Sequence, residues 1–499
     1  MEQFDQKYPA AAPAPDPSPL AFFRQVLYTK LKNKCTGWNA QEQEEREFFM
    51  MTRDLTVGRP ERVMVRLALP TLVSVVFQQF YSMADNIVAG QFISDAALDA
   101  VSISYPITMI YTSVALGINI GVNVVVSQLF GAKRLEKMKT AVSTSLIATA
   151  VLALLLTGLG LLLSHPLLMA LNTPESLMEP TLAYLQIYTG GLLFIFLYNT
   201  ATGIFTALGD TITPLVFLII SSLSNVGLNI LFVTTFGMGV DGLAWATLLC
   251  QAVAAVASFA VLLRRLRAIT DLPAQRFSSH LLLSISKMAI PGICQKSFIS
   301  VGNLLIQSVV NSFAATVPGI IGGFSSATKL LYIIVLLNGS VGSSLASFAA
   351  QNIGGGHMER LKSGMRSGFW LCMVFTIPSV LFFFLWPQTA MGIFVPAESV
   401  DIIAAGASYL RTASLFVIIV AAKQMCDGIL QGAGSARQFM TTTLSDLILR
   451  VALAYILPHW MGYLGIWWAW PIGWVIGAVI SITFYRRGKW KEVHLLESI

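Results

Sequence analysis

Gln78-Gln79-Phe80-Tyr81-Ser82-Met83-Ala84-Asp85-Asn86 is the stretch on which the reading of this chain turns. It lies inside an apolar segment, Val63 to Phe92, long enough to cross a bilayer as a helix. On that helix Gln78, Tyr81, Ser82 and Asp85 recur at three- and four-residue spacing and so share a face. A carboxylate inside a hydrocarbon core costs about 3 kcal/mol unless water or a partner meets it. Asp85 is therefore either a functional group or a structural one satisfied by neighbouring helices.

The chain around it has a matching composition. Of 499 residues, 55% are hydrophobic and 11% charged, with a mean hydropathy of +0.70. A soluble domain carries about 25% charged residues, so the class is an all-α polytopic membrane protein. Twelve apolar segments between residues 63 and 485 are each long enough to span a core of about 30 Å. The expected layout is a polar extension over 1–57, a first lobe of six spans over 58–270, a second over 271–487, and a tail over 488–499. Within the extension, Ala10 to Pro19 reads as extended chain. Leu20 to Lys34 reads either as an amphipathic helix on an anionic membrane surface or as a solvated tail.

Charge decides topology rather than ligand. The net charge is +7, but the basic residues sit in alternate loops: Lys133, Arg134, Lys137 and Lys139 after span two, Arg264, Arg265 and Arg267 after span six, Arg486 and Arg487 after span twelve. The positive-inside rule places both termini in the cytoplasm, and an even span count agrees. The expected location is the cell membrane, a bacterial inner membrane. No basic patch calls for a nucleic acid. The five cysteines form no CxxC pair, and no phosphate-binding Gly-x-x-x-x-Gly-Lys loop occurs. The histidines lie near loops or termini without ligand spacing. The expectation is no enzyme, no cofactor beyond a coupling ion, no ATPase subunit, and a monomer whose partners are small molecules and lipid.

The second half repeats the first. Arg66-Leu67-Ala68-Leu69-Pro70 opens span one and Lys287-Met288-Ala289-Ile290-Pro291 opens span seven; Gln128-Leu129-Phe130-Gly131 closes span two and Gln351-Asn352-Ile353-Gly354 closes span eight. Gly239, Gly242 and Ala246 in span six return as Gly462, Gly465 and Ala469 in span twelve. Copies six spans apart have the same orientation, a parallel repeat. It predicts two six-helix lobes about a central cleft that rock to give alternating access.

Asn199 to Gly209 (NTATGIFTALG) with Asp210-Thr211-Ile212-Thr213-Pro214, the Phe236-to-Thr247 run FGMGVDGLAWAT, and Met83-Ala84-Asp85-Asn86 together resemble the multidrug and toxic compound extrusion (MATE) transporters. The resemblance covers about Arg62 to Arg487. It implies export of small molecules, typically amphipathic organic cations, driven by inward Na⁺ or H⁺. It also implies that Asp85 is the coupling carboxylate and the one place for a bound Na⁺. Many members set an Asn and an Asp four residues apart in span five; here those positions are Asn225 and Asn229. Two amides at that spacing can offer carbonyl oxygens to a cation, or can hydrogen-bond between packed helices.

Other polar positions complete the candidates. Gln78 and Tyr81 accompany Asp85; in span seven Gln295, Asn303, Gln307 and Asn311 fall at multiples of four and read either as one wet face lining the cleft or as polar contacts holding packed helices together. The second lobe holds Lys296, Lys329, Lys423, Asp427, Asp446 and Arg450 as intramembrane charges. Lys423 with Asp427, and Asp446 with Arg450, are spaced as neutralising pairs, whereas Lys329 has no acid at that spacing. The alternative function is a flippase for lipid-linked precursors of the related superfamily, which calls for a more cationic cavity. The scarcity of Lys and Arg in the first-lobe spans argues against it.

Overall fold

The computed structural model describes residues 53–92, 95–267, 274–493 and 495, with side chains over 82–98 excepted. Ala10–Pro19 and Leu20–Lys34 lie outside the described residues, as does the Asp85 side chain. The first half comprises α1 (Pro60–Phe92), α2 (Asp95–Gly131), α3 (Leu135–Ala170), α4 (Glu175–Gly190), α5 (Leu192–Ala207), α6 (Ile212–Thr234) and α7 (Val240–Arg267). The second comprises α8 (Ser279–Ser312), α9 (Ile320–Gly354), α10 (Arg360–Leu385), a short α11 (Pro387–Met391), α12 (Val400–Ala413), α13 (Val417–Gly432), α14 (Ala436–Ile456), a short α15 (Pro458–Met461) and α16 (Leu464–Arg487). Among the described residues eleven helical stretches are long and apolar enough to cross a membrane, and twelve when α4 and α5, bent by 46°, count as one span. Helices satisfy their own backbone groups, which is what a lipid environment demands. Their outer faces present Leu162, Val253 and Val374 fully to the surroundings.

The repeat is visible in the defects as well as the helices. The fourth span breaks at Gly191 between α4 and α5, and the tenth breaks in a 3-10 turn, Ser414–Phe416, between α12 and α13. The segments that follow, α5 and α13, are both 16 residues long. The lobes also exchange helix ends. Met64, Leu67 and Ala68 of α1 are buried with Leu345, Phe348 and Met425 of the second lobe. Their repeat counterparts in α8, with Leu281, Ile285 and Met288 buried, pack with Leu129, Met138 and Leu262 of the first. Pro70 and Pro291 lie inside α1 and α8 at matching places of the repeat.

The two lobes are sealed at the end that carries the basic loops. Gly131 and Gly354 interlock there: a Cβ on Gly131 would land on the Gln351 carbonyl, and one on Gly354 would land on the Gln128 carbonyl. The last carbonyls of a helix lack intrahelical partners, and the same two glutamines supply them. Gln128 Nε2 donates to Gly432 O, the end of α13, at 2.9 Å, and Gln351 Nε2 donates to Ala207 O, the end of α5, at 2.6 Å. Ser347 Oγ donates to Asn123 Oδ1 at 2.9 Å. The segment before α1 joins this seal, since Leu55 is 1% exposed and its N–H donates to Gln351 Oε1 at 2.8 Å. The polar character expected of residues up to 57 thus gives way to packing from Leu55 on. Farther along, α2 crosses α8 in contact: a Cβ on Gly121 would meet Ala289 at 2.9 Å, and one on Gly117 would meet the Ile293 Cα at 2.8 Å.

Candidate functional site: a polar pocket and an inter-lobe cleft

The first-lobe pocket is built on α6. Its start is fixed by Asp210, which accepts from the Ile212 and Thr213 N–H groups at 3.1 and 3.0 Å and pairs with buried Arg265 of α7. Thr211 Oγ1 ties the same turn to Leu67 O of α1 at 3.0 Å. The Gly-Asp-x-x-x-Pro motif is therefore a joint between three helices. Farther along α6, Asn225 and Asn229 face inward, 2% and 0% exposed. Tyr81 OH donates to Asn225 Oδ1 at 2.9 Å, Asn229 Nδ2 donates to the same oxygen at 3.1 Å, and Asn225 Nδ2 donates to Thr247 Oγ1 of α7 at 3.3 Å. A cavity of about 70 Å³ adjoins this network, lined by Gln78, Tyr81, Tyr198, Asn225 and Thr247 among others. Asp85 follows Tyr81 by four residues on α1, which stays helical to Phe92. Tyr198 and the hydrogen bond of Thr247 were not among the sequence candidates; the Gly-rich opening of α7, which sets the phase of Thr247, is the signal that could have found it.

The span-seven stripe does not stay on one side. Residues four apart advance about 40° beyond a full turn, so four such steps rotate about 160°. Gln295 accordingly ends on the α14 side, 9% exposed, with Nε2 donating to Thr443 Oγ1 at 2.8 Å. Asn303 and Asn311 are exposed, Gln307 is half-buried, and Gln307 donates to Asn311 at 2.9 Å. The side of α8 that meets Gly117 and Gly121 continues outward instead through Lys296, Ser300, Asn303 and Gln307. Beyond the crossing, Lys296 and Asn303 on this side are exposed and Ser300 and Gln307 half-buried. Tyr105 of α2 and Tyr332 of α9, both about half exposed, lie close to one another. Lys296 and Lys329 are exposed, so neither is the buried charge that its place in a span led one to expect.

The buried charges of the second lobe lie between α13, α14 and α16. Lys423 Nζ donates to Asp427 Oδ2 at 2.7 Å, and Asp427 Oδ1 accepts from Thr442 and Ser481 at 3.0 and 2.6 Å. The second expected pair does not form. Arg450 lies instead over the Trp470 ring at 4.1 Å, and Asp446 acts on Lys423 beside Gly473 and Gly477. A larger groove, about 540 Å³, opens between α1 and α10 beside Glu61, Arg366 and Trp370, away from both polar sites.

The sequence profile of the MatE family matches residues 70–231 and 293–456, one match in each half. A probable multidrug resistance protein of Bacillus subtilis, YpnP, is 29% identical over 450 residues, 89% of this chain and 99% of that protein. An FAD transporter of Shewanella oneidensis is 27% identical over 326 residues, 63% of this chain and 70% of that protein. The solved outward-facing conformation of a multidrug resistance MATE transporter has the same fold, with a TM-score of 0.81 at 23% identity over 89% of this chain and 99% of that one.

Proposed function

The chain belongs to the MatE family, a family of multi-pass multidrug transporters, and from that premise we propose a secondary active exporter that exchanges Na⁺ or H⁺ for small amphipathic organic compounds. The sealed end is cytoplasmic on the positive-inside argument, which makes this the outward-open state and puts both termini inside. The observation that carries the reading is the pairing of that inter-lobe seal at one end with a buried polar pocket on α1, α6 and α7; the cleft between the lobes beyond the seal is part of the proposal.

Coupling is assigned to Asp85 with Asn225 and Asn229. Asn225 Oδ1 accepts from Tyr81 and Asn229, which gathers α1 and α6 around one amide oxygen, with Tyr81 four residues from Asp85 on α1. Gln78 and Tyr81 on one side, and Asn303, Gln307, Asn311 and Lys329 on the other, are the proposed substrate contacts. Gln295 donates its Nε2 to Thr443 on the α14 side, and its Oε1 is the part of the amide left for a substrate contact. Exchange requires only that ion and substrate prefer opposite conformations. Organic cations are the substrates the resemblance implies. FAD, named for one relative, is an anion, so charge class is not inherited from the relatives and is read from the cleft.

Purified protein in liposomes, loaded with dye and given a Na⁺ gradient or a pH gradient, tests this directly. Movement under only one of the two gradients, lost in Asp85→Asn at equal reconstitution, is expected and identifies the ion. Gradient-driven transport undiminished in Asp85→Asn would refute the assignment.

A further inference from the structure

We propose that the second-lobe wall of the cleft binds an anionic group, a carboxylate or phosphate on an amphipathic organic substrate, through Lys296 and Lys329. The inference rests on the exporter reading and specifies its substrate. It begins with what the wall lacks: α8 and α9 contain no Asp or Glu, and α2 contains none after Asp99.

The helical phase then places both lysines. Lys296 lies one turn outward of Gly292 and Ile293, which meet Gly117 of α2, on the side of α8 that leaves α2 beyond that point. Lys329 precedes Ser347 by five full turns of α9, and Ser347 bonds Asn123 of α2. Each lysine therefore continues a surface that is inter-lobe contact nearer the seal and open cleft farther out. Both are exposed, and no ion pair with a carboxylate involves either among the described residues. Each is an exposed cation within a membrane-spanning helix.

The contrast with Lys423 gives this weight. An intramembrane cation is costly until something compensates it, and Lys423 is compensated by Asp427 at 2.7 Å. Lys296 and Lys329 have no carboxylate partner among the described residues, so the charge of a ligand can meet them without breaking an ion pair. A compact ammonium suits a carboxylate or phosphate as a point charge. Asn303, Tyr105 and Tyr332 add uncharged polar and aromatic surface in the same cleft for the rest of the molecule.

Carboxyfluorescein as the anionic probe and ethidium as the cationic one test this in detergent-purified full-length protein, read by fluorescence polarisation, and in the liposome assay. Lys296→Gln and Lys329→Gln are each expected to weaken carboxyfluorescein binding by about tenfold or more, the loss of one charge-assisted contact, while thermal unfolding stays unchanged. Lys296→Arg keeps the charge and should restore most of it. Carboxyfluorescein bound equally by the wild type and the Lys296→Gln/Lys329→Gln protein overturns the anion site, as does ethidium that binds and moves while carboxyfluorescein does neither; the second result leaves the exporter reading in place. Lysine-dependent carboxyfluorescein binding with no movement of either dye supports the site and refutes the exporter reading instead.

Discussion

The two lobes share a backbone and place different polarity at matching buried positions in it. Gly209 and Gly434 both have φ of +77° at the turns that lead into α6 and α14. Aligning them sets Arg450 at the place of Asn225, and aligning Ala246 with Ala469 sets Trp470 at the place of Thr247. The structure makes contact at both places. In the first lobe Asn225 donates to Thr247 at 3.3 Å; in the second Arg450 stacks on Trp470 at 4.1 Å. One position pair is thus a neutral hydrogen bond in one copy and a cation–π contact in the other. The neutral copy leaves a small cavity beside adjustable amides, as a site that takes up and releases an ion requires. In the charged copy Lys423 is held by Asp427, which also accepts from Thr442 and Ser481, as a rigid partner requires.

The largest effect is expected from breaking the charged copy. Asp427→Ala strands Lys423 in the core and should cost about 3–5 kcal/mol, read by thermal unfolding in detergent. Replacing both members, Lys423→Met with Asp427→Leu, should cost less than Asp427→Ala alone, because no charge is left unpaired. Equal losses would mean that Asp427 acts by something other than neutralisation.

The seal is the place where the copies remain alike, and it offers the next test. Gly131→Ala and Gly354→Ala each drive a methyl onto a glutamine carbonyl of the other lobe. Overpacking of this kind costs about 1–3 kcal/mol. The cost is expected in the sealed state, so both variants should expose a Ser347→Cys thiol to a water-soluble reagent, and to a similar degree. A large effect at one glycine only would confine the symmetry to the backbone. Third in size is Asn225→Ala. It removes the shared acceptor of Tyr81 and Asn229 and should cost about 1–2 kcal/mol, with a greater effect on coupled transport than on unfolding.

The sequence carried the architecture because membrane helices advertise themselves by length and the loops by charge. The Lys423–Asp427 pair was legible for the same local reason, since four residues is one turn. Asp446 and Arg450 have the same spacing, but Gly473 and Gly477 let α16 close on α14 and bring Trp470 under the guanidinium. That choice is tertiary, and spacing does not contain it. Gln295 was misplaced by treating a period of four as a straight line on a helix whose period is 3.6. The exchange of helix ends between lobes has no local signature in the sequence.

The smallest expected effect separates the seal from the coupling site by pH. Asp54 pairs with Lys133 at the sealed end, where partial burial pushes its carboxyl up but hydrogen bonds from Lys133 and Thr56 outweigh this and hold it below 3.8. A carboxylate depressed in the folded state adds stability that is fully present above its unfolded value and is lost as pH falls through the folded one. The Asp54 contribution is therefore constant from about pH 5 upward and fades only in strong acid. With both partners partly exposed, Asp54→Asn should change reagent access to the seal by the equivalent of about 0–1 kcal/mol. That change should be the same at every pH in the neutral range. A transition in seal accessibility between about pH 5 and 8 that survives Asp54→Asn but vanishes in Asp85→Asn would tie the seal to the coupling carboxylate across the length of α1. If it survives both substitutions, the proton that opens the seal binds elsewhere.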